Sequence, residues 1–189
     1  MKNRIFKTSL LSFFVLSLVA FTSKYEKTVK VKDSKITWVG HKVTGKHEGT
    51  ITLKQGVLVF EKDKLTGGNF IIDMTTINTT DLDGGMKGKL DGHLKSADFF
   101  GVDKHPTATL SFTQVDSKGS DYIVSADLTI KGITNPVKFK LAMEGNKAKA
   151  DFKVDRTKYD IKYGSASFFD GLKDRAIYDE FDLSVTLVF

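Results

Sequence analysis

The segment closest to a known catalytic motif lies between Gly40 and His47. It nearly matches a phosphate-binding P-loop, in which glycines and a lysine surround the phosphates and a final serine or threonine holds magnesium. His47 occupies the position of that hydroxyl residue. A P-loop also leads into a helix whose N-terminus faces the phosphates, whereas residues 50–53 alternate like a strand. We therefore interpret the segment as the turn of a hairpin.

The chain contains four histidines, at His41, His47, His93 and His105. None forms the i, i+4 helical pair or the tight spacing that is typical of zinc ligands. His41 and His47 flank one turn, but two ligands are too few to hold a metal tightly. Residues 81–85 resemble the beginning of a calcium loop, yet the third acidic position and the closing glutamate are missing. We interpret that segment as a turn and predict no metal site.

The sequence does not predict an enzyme. It has no G-x-S-x-G nucleophile elbow and no recognisable order of Ser, His and Asp. It also has no cysteine, which excludes a thiol nucleophile, a disulfide scaffold and a Cys-ligated metal site. Carboxylates at Asp155, Asp160, Asp170 and Asp174 could supply the pair that glycosidases use, but nothing else in the sequence points to that chemistry. We predict a protein without catalytic residues and without a cofactor.

The segments that position these side chains are mostly strands. Apolar and polar residues alternate with a period of two from Lys35 to the end, which places each apolar set on one face of a sheet. Nine such runs are separated by short turn signals, and short connections imply antiparallel neighbours. The pattern predicts an all-β antiparallel sandwich or a closed barrel. Closure is favoured because it leaves no unpaired edge.

Two stretches interrupt the strand pattern. Leucine and methionine recur at a spacing of four between residues 78 and 106, which predicts a short helix from about Gly85 to Ser96, with Thr80 or Asp81 as its N-cap. Residues 166–176 predict a second helical turn. In this turn we expect three side chains to face inward, namely Phe168, Phe169 and Leu172. Both insertions would cover a barrel end, either as a plug that completes the core or as a lid over a cavity.

The N-terminus has the pattern of a secretory signal. Three basic residues precede an uncharged stretch at 8–23, and its apolar part, Leu10–Phe21, is shorter than the roughly 20 residues of a membrane span. We predict a cleaved signal peptide at 1–23, a mature domain at 24–189, and a periplasmic or secreted location; an uncleaved anchor is the alternative. The signal contains three of the 29 basic residues and none of the 23 acidic ones, which leaves a net charge of +3. Because the remaining lysines are scattered, we predict no binding to nucleic acid.

The predicted interior is apolar and rich in phenylalanine. A barrel of eight strands is just wide enough to be filled by its side chains or to hold one small ligand, and composition does not distinguish these cases. A lipid tail would gain about 0.8 kcal/mol for each buried methylene without any charged partner. The candidate ligand-binding residues are Trp38, Ile51, Leu58, Phe60, Phe70, Ile72, Phe99, Phe100, Leu110, Phe112, Leu128, Phe139, Leu141, Phe152, Phe181 and Leu183.

Four segments have more specific patterns, namely Lys35–Trp38, His93–Phe100, Leu128–Val137 and Phe152–Arg156. With these segments the chain resembles the YceI-like family of bacterial secreted proteins over about residues 30–189. The resemblance implies a lipocalin-like, eight-stranded antiparallel barrel with a long apolar channel. It also implies binding of a polyisoprenoid lipid, such as a quinone or a prenyl phosphate, in the periplasm, and it does not imply catalysis.

Our main hypothesis is therefore a carrier or sequestering protein for an isoprenoid lipid. An eight-stranded outer-membrane barrel is one alternative, since such barrels commonly end in phenylalanine, as Phe189 does here. Its aromatic girdles would need more than the one Trp and five Tyr present. A filled barrel that acts only as a stress-response or interaction module is the other alternative. Transient membrane contact and a homodimer stay open. For Arg156 we favour a structural pairing with a nearby Asp over a contact with a lipid head group.

Overall fold

The computed structural model describes residues 24–189, so the predicted signal peptide lies outside the described residues. The described residues form nine strands, one α-helix and three short 3₁₀ helices. The strands are β1 (Lys24–Thr28), β2 (Lys35–Lys42), β3 (Gly45–Glu61), β4 (Lys64–Thr79), β5 (Thr107–Lys118), β6 (Asp121–Ile130), β7 (Ile133–Glu144), β8 (Lys147–Asp155) and β9 (Ile177–Val188). The helix α1 covers Gly84–Lys95, and the 3₁₀ helices cover Val31–Asp33, Arg156–Tyr159 and Lys173–Arg175.

All strands belong to one antiparallel sheet that closes into an eight-stranded barrel. The order is β3-β2-β9-β8-β7-β6-β5-β4, and β4 pairs again with β3 to complete the ring. β1 does not add a ninth position, because β1 and β2 pair with different halves of the same strand. Thr28 of β1 lies opposite Val57, whereas Ile36 of β2 lies opposite Ile51. The two are halves of one broken strand, and the predicted eight-stranded barrel is confirmed.

The two ends of the barrel differ in their connections. At the turn end, two-residue turns at 62–63, 119–120 and 145–146 join neighbouring strands. At the helix end, the connections are the β2–β3 hairpin, the segment 80–106 with α1, the turn at 131–132 and the segment 156–176. The near P-loop forms the β2–β3 hairpin with its turn at Val43 and Thr44, as predicted. Long insertions therefore occur at the helix end alone within residues 24–189.

The helix α1 matches its predicted range within one residue at each end, but its predicted N-cap is wrong. The N-cap position is Asp83, whose side chain makes no capping hydrogen bond. Asp81 instead accepts a hydrogen bond from the backbone N–H of Glu48 at 3.0 Å and contacts the His47 ring at 2.8 Å. The calcium-like segment 81–85 is thus a connection that fastens the start of α1 to β3.

Polar contacts also hold the middle of α1 on the barrel. Asp91 accepts hydrogen bonds from the backbone N–H of Thr79, at 2.8 Å, and from the side chain of Lys87. Leu94 is the buried residue of the helix. With twelve residues in α1, no helix within residues 24–189 has the length and apolar character needed to cross a membrane.

The second predicted helical turn is wrong in its orientation. Residues 166–176 form turns and a short 3₁₀ helix, and the side chains of Phe168 and Phe169 are 50% and 51% exposed. The backbone explains the difference: both amide N–H groups bond the carbonyl of Ser165, and Gly171 has a φ of +71° that ends any helical path. The two rings therefore point outward, and only Leu172 is partly buried.

The core divides into two clusters that meet along the barrel axis. The cluster towards the turn end contains Leu58, Phe60 and Leu65 and is closed by the C-terminal Phe189. The cluster towards the helix end contains Phe99 and other side chains from the long connections. Residues from both clusters line one interior cavity.

Candidate functional site

An apolar cavity of about 220 Å³ lies inside the barrel and opens at the helix end. All eight strands from β2 to β9 contribute residues to its wall, and so does α1. The mouth is bounded by His41 of the hairpin, Leu90 of α1 and Tyr178 at the start of β9. The deepest wall residues, Leu141 and Leu187, lie towards the turn end. The interior is therefore an open channel and not a completely filled core.

The channel is long compared with a lipid leaflet. Its wall follows β9 from Ile177 to Leu187, and ten residues at about 3.4 Å each, tilted by about 40°, span about 26 Å along the axis. One leaflet of a bilayer is about 15 Å deep, half of the hydrocarbon core. An extended apolar chain longer than a leaflet is deep thus fits the length of the channel.

The structure places fourteen of the sixteen candidate residues on the channel wall. These are Trp38, Ile51, Phe70, Ile72, Phe99, Phe100, Leu110, Phe112, Leu128, Phe139, Leu141, Phe152, Phe181 and Leu183. Ligand contact by these residues stays a prediction.

The other two candidates, Leu58 and Phe60, lie outside the channel. Phe60 stacks on Tyr25 at a ring distance of 5.6 Å and lies 6.0 Å from the ring of Phe189. The prediction that Leu58 and Phe60 face inward is correct. At the turn end, however, inward side chains pack on β1 and on Phe189. Leu58 and Phe60 therefore fill the bottom of the barrel.

Phenylalanines form a belt in the channel wall. The ring of Phe112 lies 5.5 Å from Phe70 and 6.0 Å from Phe139, and Phe139 stacks on Phe152 at 4.7 Å. These distances are those of favourable offset and edge-to-face pairs. The rings therefore support one another across β4, β5, β7 and β8, which fixes the wall while the cavity stays open beside them.

Trp38, the single tryptophan of the chain, has a fixed position on the wall. Its indole N–H donates to the carbonyl of Thr50 at 3.2 Å. The ring lies over Gly49, where a Cβ atom would come within 2.5 Å of the indole and 2.1 Å of the carbonyl oxygen of Asn78. Gly49 is thus required by close packing, and the fluorescence of Trp38 reports on the channel.

Sequence reasoning missed the polar side chains at the mouth. The register between β2 and β9 shifts between Gly40 and Lys42, so two steps on β2 match four on β9. Such a bulge breaks the alternation from which inward residues are predicted, and it brings His41 and Tyr178 to the mouth with their rings 6.4 Å apart. The one available signal was the pair of histidines that flank the hairpin turn.

The mouth histidines hold the surrounding segments together. His41 Nε2 lies 2.7 Å from a carboxylate oxygen of Asp182, and His47 Nδ1 lies 2.8 Å from Asp81. The first pair joins the hairpin to β9 and the second joins it to the start of α1. Within residues 24–189, no group of three or more His, Cys, Asp and Glu side chains is arranged to hold a metal ion.

Arg156 fixes the segment behind the mouth. Its side chain is 2% exposed and donates to the carbonyls of Ile161, Ile177 and Tyr178 at 2.7, 3.0 and 3.0 Å. Asp179 is 3.7 Å away. Burial lowers the pKa of Arg156, and the charge of Asp179 opposes that shift. These contacts support the structural role that we favoured, although the main partners are backbone carbonyls and not the expected aspartate. Arg156 also lines the channel, so a contact with a lipid head group stays the alternative.

The outer face of the barrel does not support the outer-membrane alternative. Exposed charged side chains project from the strands, for example Lys138 and Lys140 on β7 and Asp151 and Lys153 on β8. A barrel embedded in lipid presents an apolar band in this region, where charges are costly. The apolar residues face the channel, and the charged ones face solvent.

Comparison with known proteins agrees with this architecture. A family model described as the YceI-like domain matches residues 28–189. The chain belongs to the YceI-like family. Curated relatives include UPF0312 protein ECA1782 of Pectobacterium atrosepticum, which is 43% identical over 70 residues, and Protein YceI of Escherichia coli, which is 41% identical over 70 residues. Each of these alignments covers 37% of this chain and only 36% of the relative.

Solved structures share the fold at low sequence identity. BcnA of Burkholderia cenocepacia superposes with a TM-score of 0.64 at 20% identity, over 85% of this chain and 99% of that protein. A domain from Saccharophagus degradans superposes with a TM-score of 0.56 at 14% identity, over 85% of this chain and 95% of that domain. The latter is described as a polyisoprenoid binding domain implicated in plant cell wall breakdown.

Proposed function

We propose that this protein binds a long polyisoprenoid-type lipid in its barrel and transports, stores or sequesters it in the periplasm or outside the cell. The continuous apolar channel, open at one end, is the observation on which the proposal rests. The description of the Saccharophagus degradans domain gives independent support for the class of ligand. The location follows from the signal-like pattern of residues 1–23.

The energetics favour a long chain. A ligand of 40 heavy atoms at about 0.3 kcal/mol per atom would reach about 12 kcal/mol, which corresponds to a nanomolar dissociation constant. Each additional methylene that enters the channel adds about 0.8 kcal/mol until the channel is full. A quinone or prenyl phosphate head would stay at the mouth, near the polar side chains of His41, His47 and Tyr178.

Chain length provides the decisive experiment. Ala150 lies on the wall of β8, five residues from the helix end, which is about 17 Å along the strand. Ala150→Phe would place a ring inside the lower channel, whereas Asp151→Phe adds the same ring to the outer face as a matched control. Affinities for polyprenols of increasing length are measured by calorimetry on all three proteins.

We expect the affinity of the wild type and of Asp151→Phe to rise with chain length. Ala150→Phe should bind short polyprenols normally and gain nothing from longer ones. Equal affinity of the wild type for all lengths, or identical behaviour of folded Ala150→Phe and wild type, would refute binding in the channel. Failure of the wild type to bind any polyprenol would favour the ligand-free interaction module.

A further inference from the structure

Exposed apolar side chains are concentrated at one end of the barrel. Seven of the eight large exposed hydrophobic residues among residues 24–189 lie at the helix end. They are Val43, Met86, Ile133, Tyr163, Phe168, Phe169 and Tyr178. The eighth, Tyr25, lies at the turn end and donates its hydroxyl to Asp63. Scattered surface hydrophobics need no explanation, but this distribution does.

Three segments around the channel mouth carry six of these seven residues. We call these segments the rim: hairpin residues 41–47, the first half of α1 at 84–89, and residues 162–178 before and at the start of β9. The N–H of Val43 donates to the carbonyl of Ala176 at 3.1 Å, which joins the hairpin to the last segment. Tyr163 lies 4.5 Å from the ring of His93 in α1, which joins that segment to the helix. The hairpin and the last segment of the rim are therefore joined directly, and α1 contacts that segment through His93 in its second half.

The charges of the rim have one predominant sign. It contains seven basic residues and two acidic ones. The basic residues are Lys42, Lys46, Lys87, Lys89, Lys162, Lys173 and Arg175, and the acidic ones are Asp170 and Asp174. At the opposite end, the turns 61–64, 118–121 and 144–147 together with residues 24–34 contain eight basic and six acidic residues. Three of the rim lysines are paired with carboxylates just outside the rim, namely Lys46 with Glu48, Lys87 with Asp91 and Lys162 with Asp160. The other four basic residues of the rim, Lys42, Lys89, Lys173 and Arg175, form no ion pair within residues 24–189 and coincide with the apolar exposure at the mouth.

This composition is that of a membrane-surface contact. Aromatic rings settle at the headgroup level of a bilayer, and lysine and arginine are attracted by anionic lipids. At Phe168 both features meet, since the Lys162 ammonium lies 5.2 Å from the ring centre. Protein–protein interfaces are also rich in aromatic residues, but they are depleted in lysine. The three rim lysines without an ion pair, together with Arg175, therefore favour an anionic lipid surface over a protein partner.

We propose that the rim docks on a bilayer surface that contains anionic lipids. In this orientation Phe168 and Phe169 insert at the headgroup level, and the channel mouth faces the membrane. The docking itself needs no ligand. Its consequence, that an apolar chain passes between bilayer and channel without crossing water, rests on the proposed function.

The test is cosedimentation of the mature protein with vesicles. Vesicles of phosphatidylcholine alone are compared with vesicles of phosphatidylcholine mixed with phosphatidylglycerol, at low and high salt. We expect binding to the mixed vesicles that weakens with salt, because exposed charges are screened. The double variant Phe168→Ser, Phe169→Ser should bind about tenfold less, since two half-exposed rings no longer enter the interface. Tyr25→Ser removes an exposed ring from the opposite end and should bind like the wild type.

Several results would overturn the proposal. These are no binding of the wild type to mixed vesicles, equal binding of the double variant, or an equal loss in Tyr25→Ser. A rim-dependent complex with another protein, without vesicle binding, would assign the surface to a protein interface instead. Calorimetry with a short polyprenol in the absence of vesicles separates the two proposals: loss of vesicle binding with normal polyprenol binding refutes docking alone. Vesicle binding by a protein that binds no polyprenol refutes the lipid-binding function alone.

Discussion

Replacement of Arg156 by methionine tests the structural role of the one buried arginine among the described residues. Methionine has a similar length but donates no hydrogen bond, so three carbonyls lose their partner. The carbonyl of Ile161 lies in a buried environment, and the loss of its hydrogen bond from Arg156 costs about 1–3 kcal/mol. The contacts to Ile177 and Tyr178 are partly exposed, and each contributes about 0.5–1.5 kcal/mol. We expect the free energy of unfolding to fall by about 4 kcal/mol.

Urea denaturation followed by far-UV circular dichroism measures this loss, and the melting temperature should fall by about 8–16 °C. Arg156→Lys is the matched control, because one ammonium cannot reach all three carbonyls and should lose an intermediate amount. A decrease of less than about 1 kcal/mol for Arg156→Met would refute the reasoning, since the carbonyls would then be satisfied without the guanidinium. A small stability loss combined with a large loss of affinity for a prenyl phosphate would instead indicate a head-group contact.

Three further predictions concern the helix and the pH dependence of stability. Asp91→Ala should cost about 1–3 kcal/mol, since the N–H of Thr79 loses its acceptor; hydrogen exchange in α1 should accelerate, and unchanged exchange would contradict the anchoring role. Burial alone would raise the pKa of Asp91, but the hydrogen bonds from Lys87 and Thr79 lower it below 3.8. The stabilising contribution of the Asp91 carboxylate should therefore be complete above pH 3.8 and decline below it. In urea unfolding at several acidic pH values, the free energy of unfolding should decline less for Asp91→Asn than for the wild type. Burial raises the pKa of Tyr159 from 10.0 to about 12, so its contribution is present below pH 10 and is lost as the pH rises towards 12; Tyr159→Phe, which removes a hydroxyl without a hydrogen-bond partner, should reduce this alkaline loss.

Alternation within strands predicted an antiparallel sandwich or barrel and most of the channel wall, whereas the eight-stranded barrel was implied by the resemblance to the YceI-like family. Phe181, Leu183 and other residues of β9 face the channel because every second side chain of a regular strand lies on the same face. Alternation predicts the face of the sheet on which a residue lies but not its height along the barrel axis. This explains why Leu58 and Phe60 face inward but lie outside the channel. They face inward at a level where the C-terminal Phe189 closes the barrel.

The mouth depends on features that have no period. The bulge between β2 and β9 brings Tyr178 and His41 together, and a bulge has no clear signature in a single sequence. Phe168 and Phe169 were expected inside because apolar residues usually are. Their exposure follows from the turn at Ser165 and from Gly171. Regular hydrogen bonding thus made the wall predictable, whereas local turns decided the mouth.

Quenching of Trp38 fluorescence by a long polyprenol that carries bromine atoms tests the central claim most directly. Trp38 is the single tryptophan of the chain and lies on the channel wall, so quenching requires the chain to enter the barrel. The account predicts saturable quenching at one polyprenol per protein and its relief by an excess of unbrominated polyprenol. Unchanged fluorescence of the folded protein at saturating concentrations would contradict an open lipid-binding channel.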